Sequence, residues 1–120
     1  MKRLLSLAAL ALLAVSCSSC KSYRIDARVE NRTGQAINLL EVDYPSASFG
    51  ADTLAAGATM PYRFQVRGSG KVSVQYTEST TQTQRKIDGP TLEEKQEGSL
   101  VIVLLPDGKA SFTPQLTPAH

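Results

Sequence analysis

Chemistry in a chain of 120 residues must come from nucleophiles, bases and metal ligands, and here these are few and scattered. The single His is His120, the last residue, so a Ser–His or Cys–His pair has no base set inside a fold. The two Cys, Cys17 and Cys20, have no His beside them, and no spacing suits zinc or iron. Asp43, Asp52, Asp88 and Asp107 stand too far apart for a calcium loop. Glu93, Glu94 and Glu97 are close together but read as a solvated turn. No glycine-rich loop opens a helix, which leaves phosphate cradling without support. The sequence thus offers no catalytic residue, no metal site and no cofactor site, and the expectation is a protein that is not an enzyme.

Recognition is the chemistry that remains. Tyr44, Phe49 and Tyr62 lie in or beside the connection between the second and fourth expected strands, and exposed aromatics anchor partners or sugars. Tyr62 fits an apolar alternation and belongs to the core, whereas Tyr44 ends a strand and Phe49 sits among small residues. Tyr44 and Phe49 are therefore the candidate binding surface. The polar stretch 78–87 is a second candidate, either an open edge that accepts a partner strand or an edge kept polar against aggregation. It could equally be a loop.

The elements that position these residues are strands. Tyr23, Ile25, Ala27 and Val29 alternate with charged residues, a half-buried strand. Asn31-Arg32-Thr33-Gly34 is a turn, and its match to a glycosylation sequon is read as turn chemistry. In 36–44 the apolar parity switches from Ile37 and Leu39 to Leu40, Val42 and Tyr44, which predicts a bulge near Leu39-Leu40 or a strand covered on both faces. Residues 45–50 are expected to be a loop and 51–54 a short edge strand. Met60, Tyr62, Phe64 and Val66 alternate, with Pro61 marking an edge or a strand start. With Val72, Val74 and Tyr76 they are expected to form a hairpin across Arg67-Gly68-Ser69-Gly70. Asp88-Gly89-Pro90 is expected to break the chain, with Leu92 an isolated core anchor. Residues 100–105 are an unbroken apolar run, fit for a central strand. Pro106-Asp107-Gly108 is a turn, a last strand starts at Ala110, and the tail follows Pro114. Seven or eight short strands with regular turns predict an all-β fold, an antiparallel β-sandwich immunoglobulin-like in outline over 23–114, with 115–120 a flexible tail. A small closed barrel is the alternative.

The N-terminus addresses the protein. Lys2 and Arg3 precede an apolar run from Leu4 to Val15 that ends at Ala14-Val15-Ser16-Cys17. Twelve helical residues rise about 18 Å, short of a hydrocarbon core of about 30 Å. The run is a signal and a poor permanent span. Ala14-Val15-Ser16-Cys17 resembles the lipobox of bacterial lipoproteins, with Ala14 where that family usually has Leu. The resemblance implies a signal peptide of residues 1–16, removal of it before Cys17, and diacylglycerol and an acyl chain such as palmitate on Cys17. Several chains on one residue hold a membrane stably where one does not. Residues 17–22 would then be a polar tether and Cys20 a thiol beside the membrane. An ordinary secretory signal cut near Ala14 or Ser16 is the alternative, with Cys17 and Cys20 paired or free.

Two of the 13 basic side chains, Lys2 and Arg3, go with the signal, which leaves 11 against 11 acidic ones. A neutral domain carries no electrostatic footprint for nucleic acid. The mature part resembles small bacterial lipoprotein domains that begin with an Asn-x-Thr-Gly turn, here Asn31, Thr33 and Gly34, followed by Tyr44-Pro45 and the turn at 54–57. These resemblances imply a lipid-anchored, non-catalytic binding or structural module of the cell envelope. It would sit on a membrane, the outer one by the absence of Asp at Ser18, with an envelope protein or glycan as partner. The alternative is a periplasmic inhibitor of a lysozyme-type hydrolase that inserts a loop around Phe49.

Overall fold

The computed structural model describes residues 23–117, which form two stacked four-stranded sheets. In chain order the strands are β1 (Ile25–Asn31), β2 (Ile37–Tyr44), β3 (Ala47–Leu54), β4 (Thr59–Phe64), β5 (Gly70–Glu78), β6 (Gln84–Leu92), β7 (Gly98–Leu105) and β8 (Lys109–Leu116). Sheet A runs β4-β1-β7-β8 and sheet B runs β3-β2-β5-β6. The fold is an all-β sandwich. One pairing departs from a purely antiparallel arrangement: β1 and β7 lie parallel, Ile25 beside Gly98 through Asn31 beside Leu104.

Alternation builds the core. Ile25, Ala27 and Val29 of β1, Leu100, Ile102 and Leu104 of β7, and Val72, Val74 and Tyr76 of β5 all point between the sheets. Leu92 is fully buried as expected, at the end of β6. Val101, Val103 and Leu105 are half-buried on the far side of β7, the central position the apolar run requires. On one flank β3 faces β4 through aromatic contacts; on the other β6 faces β8, with Phe112 lying against Gly89.

Four expectations are corrected. β4 and β5 are no hairpin: residues 65–69 carry the chain from the edge of sheet A to sheet B, and Val66 is buried on the way. Residues 45–50 are mostly strand. The connection is only Pro45-Ser46, where proline presets its own φ and Ser46 takes φ 84°. Asp88-Gly89-Pro90 does not break the chain but lies inside β6, at a register shift opposite Lys71 and Ser73. Gly89 is needed there because a Cβ would press on the Phe112 ring and Val72, and Pro90 is tolerated because β6 is an edge. Finally, β8 continues through Pro114 to Leu116, so the strand outruns the expected boundary of the tail.

Candidate binding surface

The two residues expected to form the binding surface come together, but inside. Phe49 is 7% exposed and Tyr44 half-buried, in an aromatic cluster that closes the β3–β4 flank. Tyr44 packs on Phe64 at 4.2 Å between ring centroids, and Phe49 stacks on Tyr62 at 4.2 Å and 13°. The cause lies in register, since Phe49 pairs with Val42 and both face the core. Burial pushes the Tyr44 phenol above its ordinary pKa, with Tyr62 adding to the shift. Tyr62, expected in the core, is 42% exposed as the outer member of the stack. A hydrolase inhibitor acting through a loop at Phe49 therefore has no such loop: Phe49 sits mid-strand and buried.

The stretch 78–87 divides. Glu78 ends β5 and is buried, accepting hydrogen bonds from Arg85 Nε at 2.9 Å and Thr81 Oγ1 at 2.9 Å. These bonds, Arg85 first, hold its carboxyl below the ordinary range. The rest turns at 79–83 and enters β6, which is an edge strand of sheet B. Beside Glu78 the buried Tyr76 hydroxyl has no hydrogen-bond partner among the described residues.

The feature with an open side is the outward face of sheet B. β2 carries one extra residue against β5 between Asn38 and Glu41, the bulge foreseen from the parity switch. Leu39 takes φ 52° there and turns out of the core, leaving it 66% exposed. A leucine in that left-handed region costs about 1 kcal/mol, and its side chain gains no burial in return. β3 follows the bulge closely: at Gly50 a Cβ would overlap the carbonyl oxygen of Leu40, so only glycine fits. Two shallow depressions flank Leu39. One is lined by Glu41, Ser48, Gly50 and Asp52, the other by Gln75, Thr77, Gln84 and Lys86. Gln75 Nε2 donates to Glu41 Oε2 across β2 and β5. Asp43 lies next along β2, and its carboxyl is raised above the ordinary range by desolvation and then by Glu41, with Lys86 opposing. The sequence carried the bulge but not Leu39 as a surface residue, because parity alone does not say which leucine is expelled.

The outward face of sheet A differs. Asp26 pairs with Arg63 at 2.6 Å, and Glu30 is bridged by Arg28 and Arg32, each at 3.1 Å. Among the described residues, none of the outward acids of sheet B (Glu41, Asp43, Asp52 and Asp88) enters a salt bridge.

A buried polar knot joins the sheets at the end remote from Ile25. Asn31, fully buried, donates through Nδ2 to the carbonyls of Gln35 (2.8 Å), Leu54 (3.0 Å) and Ala55 (3.1 Å). Its Oδ1 accepts from the Thr33 amide and hydroxyl, at 3.1 and 2.7 Å. Its backbone bonds Ala58 and Gly57. The Asn-x-Thr-Gly turn is thus a clamp, as its reading as turn chemistry requires, with the amide nitrogen of Asn31 spent on carbonyls.

No group of three potential metal ligands occurs among the described residues, and none of their helices is long and apolar enough to cross a membrane. Cys17, Cys20 and the signal lie outside the described residues. No family model and no curated protein matches the chain. Among solved structures it is similar to one described as the NMR structure of the protein from Eubacterium rectale, with a TM-score of 0.55 and 14% identity over 77% of this chain and 88% of that one. That likeness is one of fold.

Proposed function

We propose that this chain is a lipid-anchored lipoprotein of a bacterial envelope whose sandwich is a non-catalytic binding module, with the outward face of sheet B as its contact surface. The observation that carries the proposal is Leu39: an apolar side chain held out of the core by a bulge, at a conformational cost, between two depressions lined with hydrogen-bonding groups. Bulges re-aim side chains and are over-represented beside functional sites, and strain held in one residue is a pointer to use. The anchor rests on the lipobox resemblance at Cys17. Seven residues separate Cys17 from Ile25, eight Cα steps that reach at most about 28 Å, so the domain would stand close to its membrane.

Two measurements test this. The intact mass of protein extracted from native membranes should equal residues 17–120 plus a diacylglyceryl and an amide-linked acyl group. An unmodified polypeptide in the soluble fraction overturns the anchor. A photo-crosslinking residue at position 39 should capture an envelope protein or glycan that the same residue at position 113, on the outward face of sheet A, does not. Equal capture from both positions removes the surface.

A further inference from the structure

Resting on the assignment of that face as the contact surface, we infer that its partner is a polypeptide presenting an extended basic segment, with Lys or Arg side chains beside an apolar one on the same face. The argument is charge and shape. Glu41 and Asp43 stand two residues apart on β2 and so share the outward face, and Asp52 of β3 and Asp88 of β6 lie at its margins. Lys86, and Lys71 at the start of β5, are the cations on the same side, so the face keeps an excess of negative charge that no salt bridge among the described residues removes. Leu39, Glu41 and Asp43 follow one another at two-residue spacing on the outward face, with Asp52 beside Leu39 on β3 and Lys86 opposing from β6, so the face is complementary to an extended segment that carries apolar and basic side chains at every second position, all on one side of the segment.

The other envelope ligands fit less well. An anionic lipid surface attracts basic segments and would be repelled by this face. Glycan recognition leans on aromatic platforms, and here the rings of Tyr44, Phe49 and Tyr76 are turned inward. Charge-driven docking of this sort also weakens as salt rises.

The test uses the purified mature protein in neutral detergent and three probes: a nine-residue Lys–Leu peptide with Lys and Leu taking turns at the odd positions and Ser between them, its Glu–Leu counterpart, and a tetramer of N-acetylglucosamine. Amide chemical shifts of the isotope-labelled protein report both affinity and place. The Lys–Leu peptide should shift Leu39, Glu41, Asp43 and Gln75 and leave the outward residues of β1 and β8 unmoved. Its affinity should fall at least tenfold on raising salt from 0.05 to 0.5 M, and at least tenfold in Leu39→Ser and in the double variant Glu41→Gln, Asp43→Asn. Both variants change exposed or half-exposed positions, and an unchanged spectrum elsewhere verifies their fold. Equal binding of the Glu–Leu peptide, tighter binding of the sugar, or shifts centred on sheet A would overturn the inference. No shift with the Lys–Leu peptide also overturns it. If position 39 nonetheless crosslinks selectively in membranes, the contact surface stands and only the basic partner falls.

Discussion

The two outward faces of this sandwich are built from the same kind of strand and end in opposite states. On sheet A, β1 runs without interruption between β4 and β7, and its outward charges find partners across or along the strand. Sheet B has its interior strand β2 bulged at Asn38–Glu41, an expelled leucine and carboxylates without salt bridges among the described residues. A face whose charges are mutually satisfied has little left to offer a partner; one with an apolar peg and unpaired acids has both. The expelled leucine comes from a single extra residue in β2, and the charge contrast from the arginines that sheet A sets beside its acids.

The largest way to break the contrast is to undo what holds the two sheets in one frame. Asn31 belongs to β1 of sheet A, yet its amide bonds carbonyls at the end of β3 in sheet B. Asn31→Ala takes the Nδ2 donor from the carbonyls of Gln35, Leu54 and Ala55 and the Oδ1 acceptor from the Thr33 amide, while the Thr33 hydroxyl keeps its bond to the Gln35 carbonyl. Unsatisfied buried polar groups cost about 1–3 kcal/mol each, and with relaxation and water entry the expected loss is about 3 kcal/mol in chemical denaturation. A loss under about 1 kcal/mol would mean the clamp is dispensable.

Next in size is Gly50→Ala. The new methyl meets the backbone of Leu40, which cannot swing aside as a side chain would, so β3 must separate from β2 at the bulge. Overpacking of this kind costs about 1–3 kcal/mol. The expected outcome is a loss near 2 kcal/mol with amide exchange accelerated in β3 and β2 and unchanged in β1 and β7. Uniform acceleration would show that the bulge and the second sheet yield together.

How much of this was legible in the sequence follows from the same local rules. Alternation places inward residues well: Ile25, Ala27 and Val29, or Leu100, Ile102 and Leu104, need no tertiary information. The parity switch at Leu39-Leu40 likewise announced a bulge. Alternation is silent about which sheet a strand joins, so β4 and β5, neighbours in the chain, read as a hairpin although residues 65–69 carry the chain across the sandwich. The parallel β1–β7 pairing is equally non-local. Glycine and proline misled where tertiary contacts reuse them: Gly89 makes room for Phe112, and Pro90 costs no ladder hydrogen bond on an edge. Tyr44 and Phe49 read as surface residues because the run of small residues 45–50 has the composition of a loop, and a residue in a loop is free to face outward. Once Pro45-Ser46 alone makes the turn, Phe49 is in a strand, and its pairing with Val42 decides its direction.

Leu39→Asn separates structure from use. Asparagine tolerates the left-handed region better than leucine and removes an exposed apolar side chain. Stability should rise by about 1 kcal/mol, with the bulge retained, while selective capture by the outward face of sheet B is lost. A mutation that stabilises a fold and costs function is the signature of a residue kept for its contacts. A neutral or destabilising result would show that Leu39 has packing on the folded domain that its exposure conceals.

The smallest effects give the sharpest comparison, because one chemical change is predicted to have opposite signs on the two faces. Asp26→Asn removes the exposed pair with Arg63, and exposed pairs contribute about 0–1 kcal/mol, so a slight destabilisation is expected. Asp43→Asn removes a carboxylate held above its ordinary pKa by desolvation and by Glu41. A raised folded-state pKa means that the folded protein takes up the proton more readily than the unfolded chain. Ionised Asp43 therefore weakens the fold at neutral pH, and the penalty vanishes as pH falls through the raised value toward the ordinary 3.8. Thermal melts should place Asp43→Asn slightly above the parent protein at pH 7 and level with it below about pH 3, where Asp43 of the parent is protonated in the folded and the unfolded chain alike. If Asp26→Asn and Asp43→Asn move the melting point in the same direction at pH 7, the faces are electrostatically alike and the contrast between paired and unpaired charge fails.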